Sequence, residues 1–209
     1  MMADRLKNYF WDSCCFIAYL NNETHAYDVA SLEQFIDDAK NGKAMIHTST
    51  IALAEIRPSF MKKRSIGSFA EFMEDMNGAV VLADATPNIM IASGHYKDLK
   101  YTKSNSKGRN LSTPDAIMLA TCIHLMDDAG VSIDCFLTFD DGKKRGFDGK
   151  AVPLLSYQEW CTGFAENEFA SRIYGYHGKS LSTRNRGSRN NNAEEEVRRS
   201  GQIGRIKRR

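Results

Sequence analysis

The sequence predicts an α/β protein, a three-layer α/β/α sandwich on a central, mostly parallel sheet of four to five strands. Three observations predict it. Short apolar runs of strand length alternate along the chain with stretches whose apolar residues recur at helical spacing. The stretch Leu111–Leu125 holds Ala116, Met118, Leu119, Ala120, Cys122, Ile123 and Leu125, apolar almost all round and therefore a buried helix. Acidic residues recur where an apolar strand ends or in the helix after it. In an open parallel sheet that edge forms the ligand-binding crevice.

Taken in order, Tyr9–Trp11 reads as the first strand and Cys14–Leu20 as a helix packed on the sheet. Val29, Leu32, Phe35, Ile36 and Ala39 mark a second helix between Tyr27 and Asn41, with Gly42 as its stop. Ala44–His47 is the second strand, and Thr48–Thr50 opens a helix that Pro58 ends early. A further amphipathic helix is expected over Ser65–Met76, a third strand over Ala79–Leu82 and a helix from Pro87 to about Leu99. Asp84, before Thr86-Pro87, reads as a cap or turn residue. Thr113 is expected to cap the buried helix, with Pro114 at its first position and Asp115 at the positive end of its dipole. Ile133–Thr138 supplies the fourth strand, and Val152–Leu155 a fifth at the sheet edge, where Pro153 is tolerated.

The chain has 209 residues, 42% hydrophobic and 26% charged, enough for one well-buried domain. A net charge of +2 conceals an asymmetry: residues 179–209 hold ten Lys/Arg and three Glu, so an acidic globule carries a basic tail. The expected division is one folded α/β domain over 1–175 and a tail over 176–209, too poor in apolar residues to fold alone. Five cysteines without metal-binding spacing read as reduced, buried thiols. The amino terminus lacks a signal-like apolar core and no run reaches membrane-spanning length, so a cytoplasmic location and no membrane contact are expected.

The candidate chemistry rests on Asp12, Glu55, Asp115 and Asp140. Asp115 could simply reinforce a helix cap. Its company argues for more, because all four acids would converge at the carboxyl edge of the sheet. Four carboxylates cannot all stay ionised together without cations, and the natural occupant is a hard one, Mg²⁺ or Mn²⁺. Lys103, Lys107 and Arg109, in the polar stretch leading to the Asp115 helix, and Lys143 and Lys144, after Asp140, stand where a polyanion would enter; a solvated loop is the competing reading.

Asp12-Ser13 after a first strand, Thr50-x4-Glu55-Ile56, Leu111-x3-Asp115-Ala116 and Leu137-Thr138-x-Asp140 together resemble the PIN-domain ribonucleases, most of all the VapC-type toxins. The likeness runs from about Tyr9 to about Trp160. It implies a PIN-like fold and a Mg-dependent endoribonuclease with Asp12, Glu55, Asp115 and Asp140 as catalytic metal ligands. Ser13, Thr138 and Asp141 would support them. Many family members carry a further acid in a loop ending in Asp-Phe, whereas here Gly146-Phe147-Asp148 reverses that order. The resemblance also implies single-stranded or looped RNA as substrate, a homodimer, and a cognate antitoxin as partner.

Two other classes compete. A PIN-fold module that binds RNA without cutting it would keep the same pattern, although all four acids are present. A receiver-like phosphoacceptor or an aspartyl phosphatase wants paired acids after the first strand, where this chain has Asp12 and then Cys14. Neither phosphate-cradling glycine pattern occurs.

Overall fold

The computed structural model describes residues 5–61, 66–98, 111–139 and 178–180. Five parallel strands form one sheet in the order β3-β2-β1-β4-β5: β1 Lys7–Trp11, β2 Ala44–Ser49, β3 Val80–Ala83, β4 Cys135–Thr138 and β5 Gly178–Ser180. The helices are α1 Ser13–Leu20, α2 Val29–Lys40, α3 Ala52–Glu55, α4 Phe69–Asp75, α5 Pro87–Asp98 and α6 Thr113–Asp127, with a 3-10 turn at Pro58–Phe60. The α/β class with a parallel central sheet is as the sequence predicts.

Strand order sets the site. From β1 the chain lays β2 and then β3 on one side, and β4 and β5 lie on the other. The carboxyl ends of β1 and β4 therefore flank a topological switch point, where crossover connections diverge and leave a crevice. Trp11 is level with Leu137, and the Asp12 amide donates to the Leu137 carbonyl at 3.0 Å, carrying the ladder one step past β1.

Aromatic residues fill the core around these strands. Phe10 stacks on Phe136 with ring centroids 5.0 Å apart, Trp11 packs on Phe16, and Phe16 meets Phe69 and Phe72 edge-on. Residues Ala116 to Ile123 of α6 are all buried, which confirms the reading of that helix from its apolar circumference. It packs on α5 and on β2.

Several expectations change. Ser112, not Thr113, caps α6: its hydroxyl accepts the Asp115 amide at 3.2 Å, so Pro114 falls at the second helical position. The helix at Ser65–Met76 is shorter and opens at the Ser68 cap, whose hydroxyl accepts the Glu71 amide. A strand that was not expected, Gly178–Ser180, pairs with β4 inside the segment read as tail. Gly178, Lys179 and Ser180 carry no apolar signal, because an edge strand is held through backbone pairing. Val152–Leu155, Cys161 and residues 181–209 lie outside the described residues. So do Lys103, Lys107, Arg109, Asp140, Asp141, Lys143 and Lys144.

Candidate active site

Asp12 closes β1 and is the N-cap residue of α1, yet its side chain makes no capping bond. The carboxylate turns instead to the switch point. Thr138, at the end of β4, donates its hydroxyl to Asp12 Oδ2 at 2.7 Å, and the Cys14 thiol donates to the same oxygen at 2.9 Å. Asp12 is 5% exposed and Thr138 is 0% exposed. Desolvation drives the Asp12 pKa well above its ordinary value, with the negative charge of Asp115 among the further causes; the Thr138 hydrogen bond pulls the other way. The Asp115 charge is thus near enough to Asp12 for repulsion to register.

Ser13 follows directly. As the first residue of α1 it could have served the helix, but its hydroxyl donates to Glu55 Oε2 at 2.6 Å. Glu55 ends the single turn of α3 and is half-buried; burial raises its pKa and the Ser13 bond offsets part of that. Asp115 is the third residue of α6 and accepts the Ser112 hydroxyl at 2.6 Å, so one serine holds both its amide and its carboxylate. That bond is the cap role which the sequence allowed. It leaves the carboxylate at the positive end of a 15-residue helix, facing Asp12.

Beneath these acids lies a layer of buried hydroxyls. Thr48 donates to the Trp11 carbonyl at 2.8 Å, tying the carboxyl ends of β2 and β1 together. Thr121 of α6 donates toward Ser49 at 3.0 Å and the Ile117 carbonyl at 2.8 Å, and Thr50 accepts the Ala85 amide. Such pairings satisfy these hydroxyls and hold the strand ends that carry the acids.

The structure therefore brings Asp12 and Asp115 into mutual influence and links Glu55 to the residue after Asp12. Among the described residues, no group of three or more His, Cys, Asp and Glu side chains is gathered closely enough to hold a metal ion. Asp140, expected as a fourth ligand, lies outside those residues. Sequence reasoning missed Cys14, which looked like one more apolar residue of α1, and Ser112, which was passed over for Thr113.

No family model matches the chain, and no curated protein does. Its fold is similar to a solved structure. That structure is VapBC2 from Rickettsia felis bound to a DNA fragment from their promoter. The match has a TM-score of 0.43 and 13% identity, and covers 84% of this chain and 99% of that chain. No helix among the described residues is long and apolar enough to cross a membrane.

Proposed function

We propose that the protein is a PIN-type, Mg²⁺- or Mn²⁺-dependent endoribonuclease that hydrolyses phosphodiester bonds of single-stranded or looped RNA. The observation carrying this reading is Asp12: a desolvated carboxylate at a topological switch point, facing a second carboxylate, Asp115. Burial and repulsion both disfavour its charge, and a divalent cation would reverse both. The donors are hard oxygens, which suits Mg²⁺ or Mn²⁺. Asp12 and Asp115 would hold the ion, Glu55 would join through the Ser13 link, and Asp140, with Asp141 beside it, would complete the set from the segment after β4.

A bound divalent ion supplies positive charge at the scissile phosphate and acidifies water there. The chain's own groups do the positioning. Thr138 holds Asp12 Oδ2 in place, Ser13 orients Glu55, and the Ser112 cap keeps Asp115 at the start of α6. Lys103, Lys107, Arg109, Lys143 and Lys144 would meet the RNA backbone, adding salt-dependent affinity. The motif resemblance extends the proposal to a homodimer and to a cognate antitoxin, which would make the protein the toxin of a pair.

Gel cleavage of mixed RNAs tests the reading. Wild type should cut with Mg²⁺ and not with EDTA, and Asp12→Asn should lose about a thousandfold or more of that cleavage. Equal cleavage by Asp12→Asn and wild type would overturn the carboxylate site. RNA bound but left uncut in Mg²⁺ and Mn²⁺ would make the protein an RNA-binding module instead.

A further inference from the structure

Cys14 occupies a place that α1 does not require of it. As the second residue of the helix it could have pointed its side chain into the apolar layer, as Cys15 and Phe16 do. Its sulfur instead sits between the two strand ends at the switch point. It donates to Asp12 Oδ2 at 2.9 Å, accepts the Phe139 backbone amide at 3.1 Å, and lies 3.4 Å from the Thr138 hydroxyl. Phe139 is the residue just past β4, 1% exposed, where the chain leaves the sheet toward Asp140. One atom thus spans the end of β1 and the end of β4.

We propose that Cys14 is a positioning residue for the nuclease site, its sulfur clamping the Asp12 carboxylate to the Phe139 amide so that the carboxyl ends of β1 and β4 keep a fixed separation. This rests on the endoribonuclease reading given above. A thiol suits the role on two counts. It both donates and accepts, weakly in each direction, so it bridges a carboxylate and an amide without competing with stronger bonds such as Thr138 to Asp12. Its long C–S bonds and large sulfur span a gap that a methyl group leaves open.

The test compares Cys14→Ala and Cys14→Ser with wild type in the full chain. Three quantities are read: kcat and KM on a cleavable RNA in Mg²⁺, Tm, and hydrogen exchange at the Phe139 amide. Cys14→Ala should lower kcat on the order of tenfold or more through loss of alignment, with KM within about twofold. It should also accelerate Phe139 exchange on the order of tenfold while Tm changes little. Cys14→Ser, which keeps a donor and an acceptor, should recover most of both losses. Unchanged kcat in Cys14→Ala, or a Cys14→Ser variant no better than Cys14→Ala, overturns the proposal. Should wild type prove unable to cut RNA, the nuclease reading fails, and the exchange measurement judges the clamp alone: unchanged Phe139 protection in Cys14→Ala sinks it. Should Cys14→Ala fail to fold, Cys14→Ser carries the test, and a normal Tm with more than tenfold lower kcat in that variant overturns it.

Discussion

The two ends of the sheet are built from the same strands and differ in almost every other respect. At the carboxyl end Asp12, Ser13, Thr48, Ser49 and Thr138 are buried polar side chains, and each has a hydrogen-bond partner. At the amino end Leu6, Lys40, Gly42, Met45, Asp75, Asn77 and Gly78 surround a cavity of about 580 Å³. That void is larger than the 180 Å³ pocket between α5 and α6. Its shape comes from turns: Gly42, Asn77 and Gly78 all have positive φ, the conformation that lets the chain leave α2 and α4 sharply. Its charged groups, Lys40 and Asp75, are exposed. The lesson is that hollow space follows from how helices end. Chemical capacity follows from a carboxylate held dry, and among the described residues the buried one, Asp12, lies at the carboxyl end.

The sharpest way to break this contrast is Asp12→Asn. RNA cleavage should fall by about a thousandfold or more, the scale of several kcal/mol of charge stabilisation. The same substitution should raise Tm at neutral pH in the absence of divalent ions. The sign follows from the raised pKa values of Asp12 and Glu55. A carboxyl whose folded pKa is raised contributes stability that is full below its unfolded value, 3.8 for Asp and 4.5 for Glu, and is lost as pH climbs through the folded value. Wild type without metal should therefore lose Tm above about pH 4 relative to Asp12→Asn, as calorimetry across pH would show. A Tm difference that is flat with pH would mean Asp12 is not desolvated.

Thr138→Val is expected next in size. It keeps shape but removes a hydrogen bond to a buried carboxylate, so cleavage should fall roughly tenfold, with up to about 2 kcal/mol lost in stability at neutral pH and little at pH 4. Ser112→Ala should cost about 1 kcal/mol through the lost α6 cap, measured by denaturant unfolding, with a smaller loss of cleavage. The smallest effect belongs to the other end. Lys40→Ala with Asp75→Ala should leave kcat and KM within about twofold, since charges exposed to water at that distance are screened. A large loss there would dissolve the contrast.

How far the sequence reveals this depends on whether a feature is local. The strands and α6 were readable because apolar runs and an apolar circumference are intrinsic to a few residues in a row. Asp12, Glu55 and Asp115 were readable as acids in unusual places. Cys14 was not, because a thiol inside an apolar run looks the same whether it faces the core or a carboxylate. Its role depends on Phe139, far along the chain and adjacent only through the register of β1 with β4. Ser13 is intermediate: a serine opening a helix suggests a cap, and the bond to Glu55 exists only once β2 lies beside β1. β5 was illegible for a different reason, since Gly178-Lys179-Ser180 has no strand preference of its own.

The pairing of β5 with β4 has a consequence for synthesis on the ribosome. β4 carries Thr138, and its outer edge is satisfied by Gly178–Ser180, residues made well after it. At typical elongation rates of about 5–20 residues per second, the strand that secures Asp12 spends seconds with its outer hydrogen-bonding edge unpaired by its final neighbour. An unpaired edge of this kind is a docking line for any other extended chain. Nascent protein stalled between these two strands should therefore be the form most prone to aggregate or to recruit a chaperone. A truncation meant to remove only the basic tail must fall after Ser180 if the sheet is to close.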